Sequence, residues 1–534
     1  MKDTEKVLLI GLDGATWKLL KPWIDEGHLP NLARLCKGGS TGTLLSTIPS
    51  MTCPALPALF TGRNPANLGV LTFYDAEGNP VLINSYPGEK IWDVIQRNGG
   101  SSCIIDVRFT YPPPEINGVI TCSTPLPADA KNLYYPPDLH KKLGRKVPLA
   151  VDIHPRVYKP GHLIERKQEI MEIMREWIDQ RYWLIKDLTA RNNYNFIFVW
   201  FSDLDSMQHI FWHDKDAILD HLKIIDEYLG KIVKDFANSD IIIISDHGFH
   251  KFPERSIYVN TWLMQEGFLN PKGSSFSRWI YAKIIKIYRV LMRISFFKKL
   301  FEKKRVDKDA IKQGKTIIND IYKNKFPGIN WKTTSAYLFC EWGINIIKEN
   351  IKEDYETFRN RLIEKMRNAK DDVGKPIFAN VWKKEEVFKG KYINQIPDIV
   401  YQLSEDYYPD PIIASRKLFG KHQYKMPYTM TGNHENDREG IFIATGPKFS
   451  IGKNIGTARI EDIAPTIFHL LRCPMPDDLD GKTIIGAFTE QEKQIQDKYY
   501  SSEPIFENRN VKNLSNAEEE SIKQQLKDMG YLSD

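Results

Sequence analysis

Long apolar runs are missing from this 534-residue chain: no window approaches 18 uninterrupted apolar residues, so no segment reads as a membrane-spanning helix. The opening stretch Met1-Lys2-Asp3-Thr4-Glu5-Lys6 leads straight into the short run Val7 to Ile10, which is too brief for a signal-peptide core. Cysteine is scarce and dispersed. Cys36, Cys53, Cys103, Cys122, Cys340 and Cys473 form no CxxC pair and no disulfide-framework spacing, and they read as buried thiols in a reducing compartment. A cytoplasmic location is the expectation, with peripheral membrane association left open. One-signed charge is also lacking, because 74 basic against 68 acidic residues leave only +6, so no nucleic-acid partner is expected. There is no internal repeat and no low-complexity tract. With 42% hydrophobic and 27% charged residues, the composition excludes wholesale disorder.

What is present is a set of short apolar runs that end in acids. Val7 to Leu12 precedes Asp13, Phe196 to Phe201 precedes Ser202-Asp203, and Ile241 to Ile244 precedes Ser245-Asp246. Each has the length of a buried strand with a helical pattern beside it, which predicts an α/β fold on a mainly parallel central sheet flanked by helices. Ligands of such sheets gather beyond the carboxyl ends of the strands, where Asp13, Asp205 and Asp246 emerge. Helical spacing from about Lys159 to Thr189 predicts one long helix leading into the second of these strands.

The expected organisation is a core of residues 1–269 and 401–490, an insertion at 270–400, and a loosely held polar arm at 491–534 ending in a short helix. The insertion comprises a basic amphipathic segment and an α/β cap lobe. Its basic segment, from Arg278 to Arg305, holds ten Lys or Arg and one acid, Glu302. Such a stretch can contact an anionic membrane surface or a polyanionic ligand. The plainer reading is a cap helix with a solvated basic face, packed through Ile284, Ile287, Leu291 and Ile294.

The chemistry-bearing residues fall into five pieces. Asp13 is followed by Gly14, which lets the backbone turn closely around the carboxylate, although turns use this pair freely. Thr52 lies in Pro49-Ser50-Met51-Thr52-Cys53-Pro54 at a predicted helix start, a place suited to phosphate, where its plain reading is an N-cap. Asp205 and His209 stand four apart and share a helix face. Asp246-His247-Gly248 sets two ligand-type side chains at a buried strand end, where they are costly without a partner. His434, in Gly432-Asn433-His434-Glu435, completes the set.

Carboxylates mixed with imidazoles suit zinc or manganese better than calcium. Two such ions about 4 Å apart can clamp the attacking and leaving oxygens of a phosphoryl transfer. An ion beside Thr52 would also activate its hydroxyl. Around this set, His213 and His250 read as hydrogen-bonded structural histidines. Asp203 reads either as a strand-end cap or as a carboxylate orienting a ligand histidine. His422 and Lys425 sit in a loop that could meet substrate.

The order of these pieces resembles the alkaline phosphatase superfamily, and within it the type I phosphodiesterase/nucleotide pyrophosphatase family. Leu29-Pro30-Asn31-Leu32, Phe60-Thr61-Gly62 with Gly69, and Ile460-Glu461-Asp462-Ile463-Ala464-Pro465-Thr466 also look like that superfamily's segments. The resemblance implies one metal on Asp205, His209 and His434, and a second on Asp13, Asp246 and His247 with Thr52 alongside, zinc being usual. It further implies a phosphothreonine on Thr52 and a small phosphodiester or pyrophosphate substrate, in a nucleotide, a nucleotide-sugar or a lipid head group. A phosphomonoesterase or phosphomutase of the same superfamily, or an inactive phosphate-ligand-binding protein, is the alternative.

Two departures stand out. Leu71-Thr72-Phe73-Tyr74 holds no asparagine where nucleotide pyrophosphatases use one on a phosphate oxygen. Leu56 stands where a sulfatase would carry arginine, which disfavours sulfatase activity.

Overall fold

The structure, a computed structural model, describes residues 5–74, 80–127, 130–158, 163–274, 328–413, 417–421, 431–501 and 515–528. The basic stretch 278–305, His422 and Lys425 lie outside the described residues. Among the described residues no helix is long and apolar enough to cross a membrane.

Nine strands form the main sheet: β1 (Val7–Leu12), β2 (Ser40–Leu45), β3 (Ser102–Val107), β4 (Gly118–Cys122), β5 (Tyr134–Tyr135), β6 (Phe196–Phe201), β7 (Asp240–Ile244), β8 (Glu439–Thr445) and β9 (Lys453–Arg459). Their order is β9-β2-β8-β7-β1-β6-β3-β4-β5. The run from β7 to β4 is parallel throughout, while β8 runs antiparallel to β7 and β2, and β5 antiparallel to β4. Every position of β1, β6 and β7 is buried, so both sheet faces are covered. That explains why these strands read as unbroken apolar runs rather than alternating ones.

Gly11 shows how tightly the centre is packed. It pairs with Trp200 of β6, and a Cβ built on it would lie 1.8 Å from the indole. Only glycine leaves room for that ring, which in turn reaches the end of β1.

Contacts divide the chain into two units. One comprises Met1–Phe252, Lys389–Tyr392 and Tyr428–Asp534, and the other Pro253–Phe388 and Ile393–Pro427. The second unit therefore takes in chain on both sides of the 270–400 segment. Its four-stranded antiparallel sheet has the order Ala336–Cys340, Gly343–Ile346, Ile399–Leu403, Phe378–Lys383. The helix Tyr355–Asn368 packs on it through Phe358, Leu362 and Met366, forming a core of its own.

In the first unit, α1 (Thr52–Thr61), α2 (Lys167–Arg191), α3 (Asp203–Phe211) and α4 (Lys215–Asp235) matter for the site. The long helix α2 begins later than its apolar spacing predicts, after a 3-10 turn at Leu163–Arg166. The polar arm is not loosely held where it is described. Helix α5 (Asn516–Asp528) buries Ile522 and Leu526 in the main core, and Gln525 exchanges hydrogen bonds with the backbone of Leu126. Two apolar residues four apart in an otherwise polar segment suffice to dock one helix face.

Candidate metal centre

The carboxyl ends of β1 and β7 put Asp13 and Asp246 side by side, and the chain leaving β6 enters α3 at once, carrying Asp205 and His209. The left-handed turn at Gly14 (φ 71°) brings its amide N–H to Asp246 Oδ1 at 3.4 Å. The i, i+4 spacing on α3 sets His209 Nε2 3.4 Å from Asp205 Oδ1. His434 arrives from Gly432–Asn433, a short strand paired with His250–Lys251. Its ring stacks on His247 at 3.9 Å and meets His209 at 5.1 Å. All of these side chains are buried.

Thr52 is the first residue of α1, with Met51 in the cap position, so it is not the N-cap expected from its setting. The helix starts one residue earlier than that reading requires. Thr52 Oγ1 lies 3.3 Å from His247 Nε2. His247 Nε2 also stands 3.5 Å from both Asp13 Oδ1 and Asp246 Oδ2.

Each imidazole has its Nδ1 against a backbone carbonyl: Gly432 for His209 at 3.0 Å, Gly248 for His247 at 3.0 Å and Ser50 for His434 at 2.8 Å. Donation from Nδ1–H to those oxygens fixes the tautomer that presents an Nε2 lone pair to the centre, as metal-binding histidines require. Asp13 Oδ1 and Asp246 Oδ2 are fully buried and have no hydrogen-bonding partner among the described residues. Buried, unsolvated carboxylate oxygens facing imidazole nitrogens are expensive unless a cation joins them.

The donor set thus fits divalent ions. Two trios have ligand atoms within 4.8 Å of one another, Asp205-His209-His434 and Asp13-Asp205-His247. The second has Asp205 where the resemblance puts Asp246. Asp205 therefore faces both positions.

Electrostatics follow from this crowding. Burial, reinforced by Asp246 and Asp205, pushes the Asp13 carboxyl well above the usual range against the pull of Arg108 and Trp200. Burial works the same way on Asp205, but His209, His434 and His247 outweigh it and hold that carboxyl well below the usual range. His434 is driven far below ordinary histidine values by burial and by the two neighbouring imidazoles. Carboxylates and imidazoles pushed in opposite directions within one buried cluster are a signature of functional sites.

Surrounding residues sort themselves differently from their sequence readings. Asp203 orients no histidine of the centre: its carboxylate takes Arg181 Nη1 at 2.8 Å and meets His221 Nε2 at 2.9 Å. Arg181, buried on α2, also donates to Asp106 Oδ2 from Nη2 at 2.9 Å. His213 is exposed, and Asp214, its expected neighbour, instead caps α4 at Ala217 and pairs with Lys167. His250 Nδ1 stands 2.7 Å from the Lys251 carbonyl.

Arg181 locks the start of α3, and hence Asp205, to the exit of β3. Burial raises the Asp106 carboxyl, while Arg181 and His221 overcome burial at Asp203 and bring it down to about 2. Arg181→Met would strand two buried carboxylates, and we expect a loss of about 3–5 kcal/mol in urea unfolding. A loss below about 1 kcal/mol would show the pairing to be dispensable.

The sequence reading missed Arg108 and Trp200. Trp200 Nε1 donates to Asp13 Oδ2 at 3.0 Å, and Arg108 Nη1 stands 3.6 Å from the same oxygen. A signal for this turn existed, because Cys103-Ile104-Ile105 is another short apolar run that ends at an acid, Asp106, with Arg108 two residues beyond.

The model of the type I phosphodiesterase / nucleotide pyrophosphatase family matches residues 7–425. No curated protein matches the chain. Among solved structures, murine ectonucleotide pyrophosphatase/phosphodiesterase 5, in an inactive form in complex with AMP, shares 15% identity, with 88% of this chain and 95% of that chain covered and a TM-score of 0.46. The human counterpart shares 17% identity over 89% of this chain and 97% of that one, with a TM-score of 0.45.

Proposed function

As the chain belongs to the type I phosphodiesterase/nucleotide pyrophosphatase family, we propose that it hydrolyses phosphodiester or pyrophosphate bonds of small substrates, with Thr52 as nucleophile. The observation that carries this reading is the buried hydroxyl of Thr52 set 3.3 Å from His247 Nε2, at the edge of three converging carboxylates and three imidazoles. Asp205, His209 and His434 would hold one divalent ion, and Asp13, Asp246 and His247 a second beside Thr52, zinc or manganese suiting the donors. Such ions, when bound, neutralise charge on the phosphoryl oxygens and lower the pKa of a nearby hydroxyl.

Thr52 Oγ would attack phosphorus as the P–O bond to the leaving group breaks, the threonine proton ending on the departing oxygen, and a phosphothreonine that still carries the substrate's remaining substituent forms. Water displaces the threonine oxygen in a second step and returns Thr52 to its hydroxyl form. Burial of these groups strengthens every charge interaction among them.

The direct test is a turnover screen of the zinc- or manganese-loaded protein on aryl phosphate diester, aryl phosphate monoester and aryl sulfate. Diester hydrolysis that vanishes on chelation and returns with metal is expected, with no sulfate release. Monoester turnover alone would replace the diesterase reading with the phosphatase one, and no turnover of any ester would sink both.

A further inference from the structure

The turn leaving β3 is held in a conformation that needs a reason. Asp106 and Phe109 both adopt left-handed backbone angles, φ 58° and 61°, which bulky residues rarely accept and which tend to be kept where function demands them. Between them lies Arg108, 3% exposed. The turn is braced on every side: Thr121 Oγ1 accepts from the Asp106 amide at 2.9 Å, Arg181 grips the Asp106 carboxylate, and the Thr110 hydroxyl donates to the Val107 carbonyl at 2.7 Å. The backbone that carries Arg108 is therefore held by contacts of its own, independent of any ligand.

Its place is at the centre but outside the ligand set. Arg108 Nη1 is 3.6 Å from Asp13 Oδ2, beyond a good hydrogen bond, and the hydrogen bond to that oxygen comes from Trp200. The same turn reaches toward the nucleophile's side. Phe109 packs on Phe73 with ring centroids 6.0 Å apart, and the carbonyl of the preceding Thr72 accepts from Cys53 Sγ, next to Thr52, at 3.1 Å. A buried guanidinium 3.6 Å from a carboxylate of the candidate centre has the planar fork suited to anionic phosphate oxygens.

Resting on the hydrolase reading above, we propose that Arg108 is a specificity-determining residue that selects substrates carrying a second negative charge next to the scissile bond. A dianionic phosphate monoester and a pyrophosphate both supply that charge, whereas a simple diester does not.

The experiment compares the metal-loaded full chain with R108K and R108M on an aryl monoester, a nucleotide pyrophosphate and an aryl alkyl diester. Metal content and thermal unfolding are recorded for each protein, and inorganic phosphate is titrated calorimetrically into each. R108M is expected to lose about 100-fold in kcat/KM on the doubly charged substrates, at least about tenfold more than on the diester, and to bind phosphate correspondingly more weakly. R108K, which keeps the charge but loses the planar fork, should fall between, and the monoester and pyrophosphate arms show which source of charge is read. Equal losses on all three substrates, or a fall in the metal content of R108M, would overturn the assignment in favour of a counter-ion for Asp13. Should the wild type turn over none of the esters, the hydrolase reading fails by itself. The titration then decides on Arg108, and phosphate binding that is absent, or unaltered in R108M, rejects it.

Discussion

Replacing Thr52 by alanine is expected to lower turnover of a phosphate diester by about three orders of magnitude or more, since removal of a nucleophile leaves only binding and electrostatic stabilisation. The size of the effect follows from its surroundings. Thr52 opens α1 in a wholly buried position, and no other hydroxyl is placed comparably against His247 by the described contacts. Ser50, two residues earlier, spends its hydroxyl on the carbonyls of His434 and Glu435. Among the described residues the Thr52 hydroxyl caps no amide, so the alanine variant should unfold within about 1 kcal/mol of the wild type. Rapid acid quenching during turnover should trap on Thr52, in the wild type alone, a phosphoryl group still bearing the diester's remaining substituent, as read by peptide mass. An alanine variant retaining a tenth of the activity would remove Thr52 from the nucleophile's role.

The second large effect concerns Asp205. Because its carboxylate belongs to both compact trios, Asp205→Asn should weaken both metal positions by at least about 100-fold, whereas Asp246→Ala should empty one. The asparagine keeps the shape of the side chain and the fold of α3, whose first turn is secured independently through Asp203 and Arg181. Metal content after dialysis against a mild chelator, with circular dichroism alongside, separates the outcomes. If Asp205→Asn loses a single ion, Asp205 serves one metal position only, and Asp13, Asp246 and His247 hold the other without it. A protein fully active without metal would discard the centre altogether.

Much of this centre was legible before any coordinates because its grammar is local. Asp13 and Asp246 are announced by buried parallel strands that end on them, and Asp205 with His209 by a single helical turn. His434 is announced by a polar loop that precedes the strand beginning at Glu439. Orientation was not legible, since a short apolar run such as Gly440 to Ala444 reads the same whether its strand runs parallel or antiparallel. Nor was the surrounding shell. Trp200 reads as one more aromatic in the apolar run of β6, and its indole N–H matters only because Gly11, far away in sequence, leaves space above β1. Arg181 lies in a helix whose spacing predicts packing, and its partners Asp106 and Asp203 stand 75 and 22 residues away. For Asp203 the sequence leaves open a strand-end cap or a carboxylate orienting a ligand histidine, and the histidine it meets, His221, comes from α4.

The sheet order has a consequence for how the chain is made. β2 is synthesised second among the nine strands, yet its two neighbours, β8 and β9, are the last two. On a ribosome moving from the first codon, β1, β3, β4, β6 and β7 can pair as they emerge, while β2 waits through some four hundred residues with both edges open. Its alternation of buried and half-buried positions, Ser-Thr-Gly-Thr-Leu-Leu, keeps that waiting strand polar and so poorly suited to adhere to another nascent chain. His434 emerges just ahead of β8, so the insertion of that strand between β7 and β2 and the completion of the candidate metal-binding set fall at the same late moment of translation.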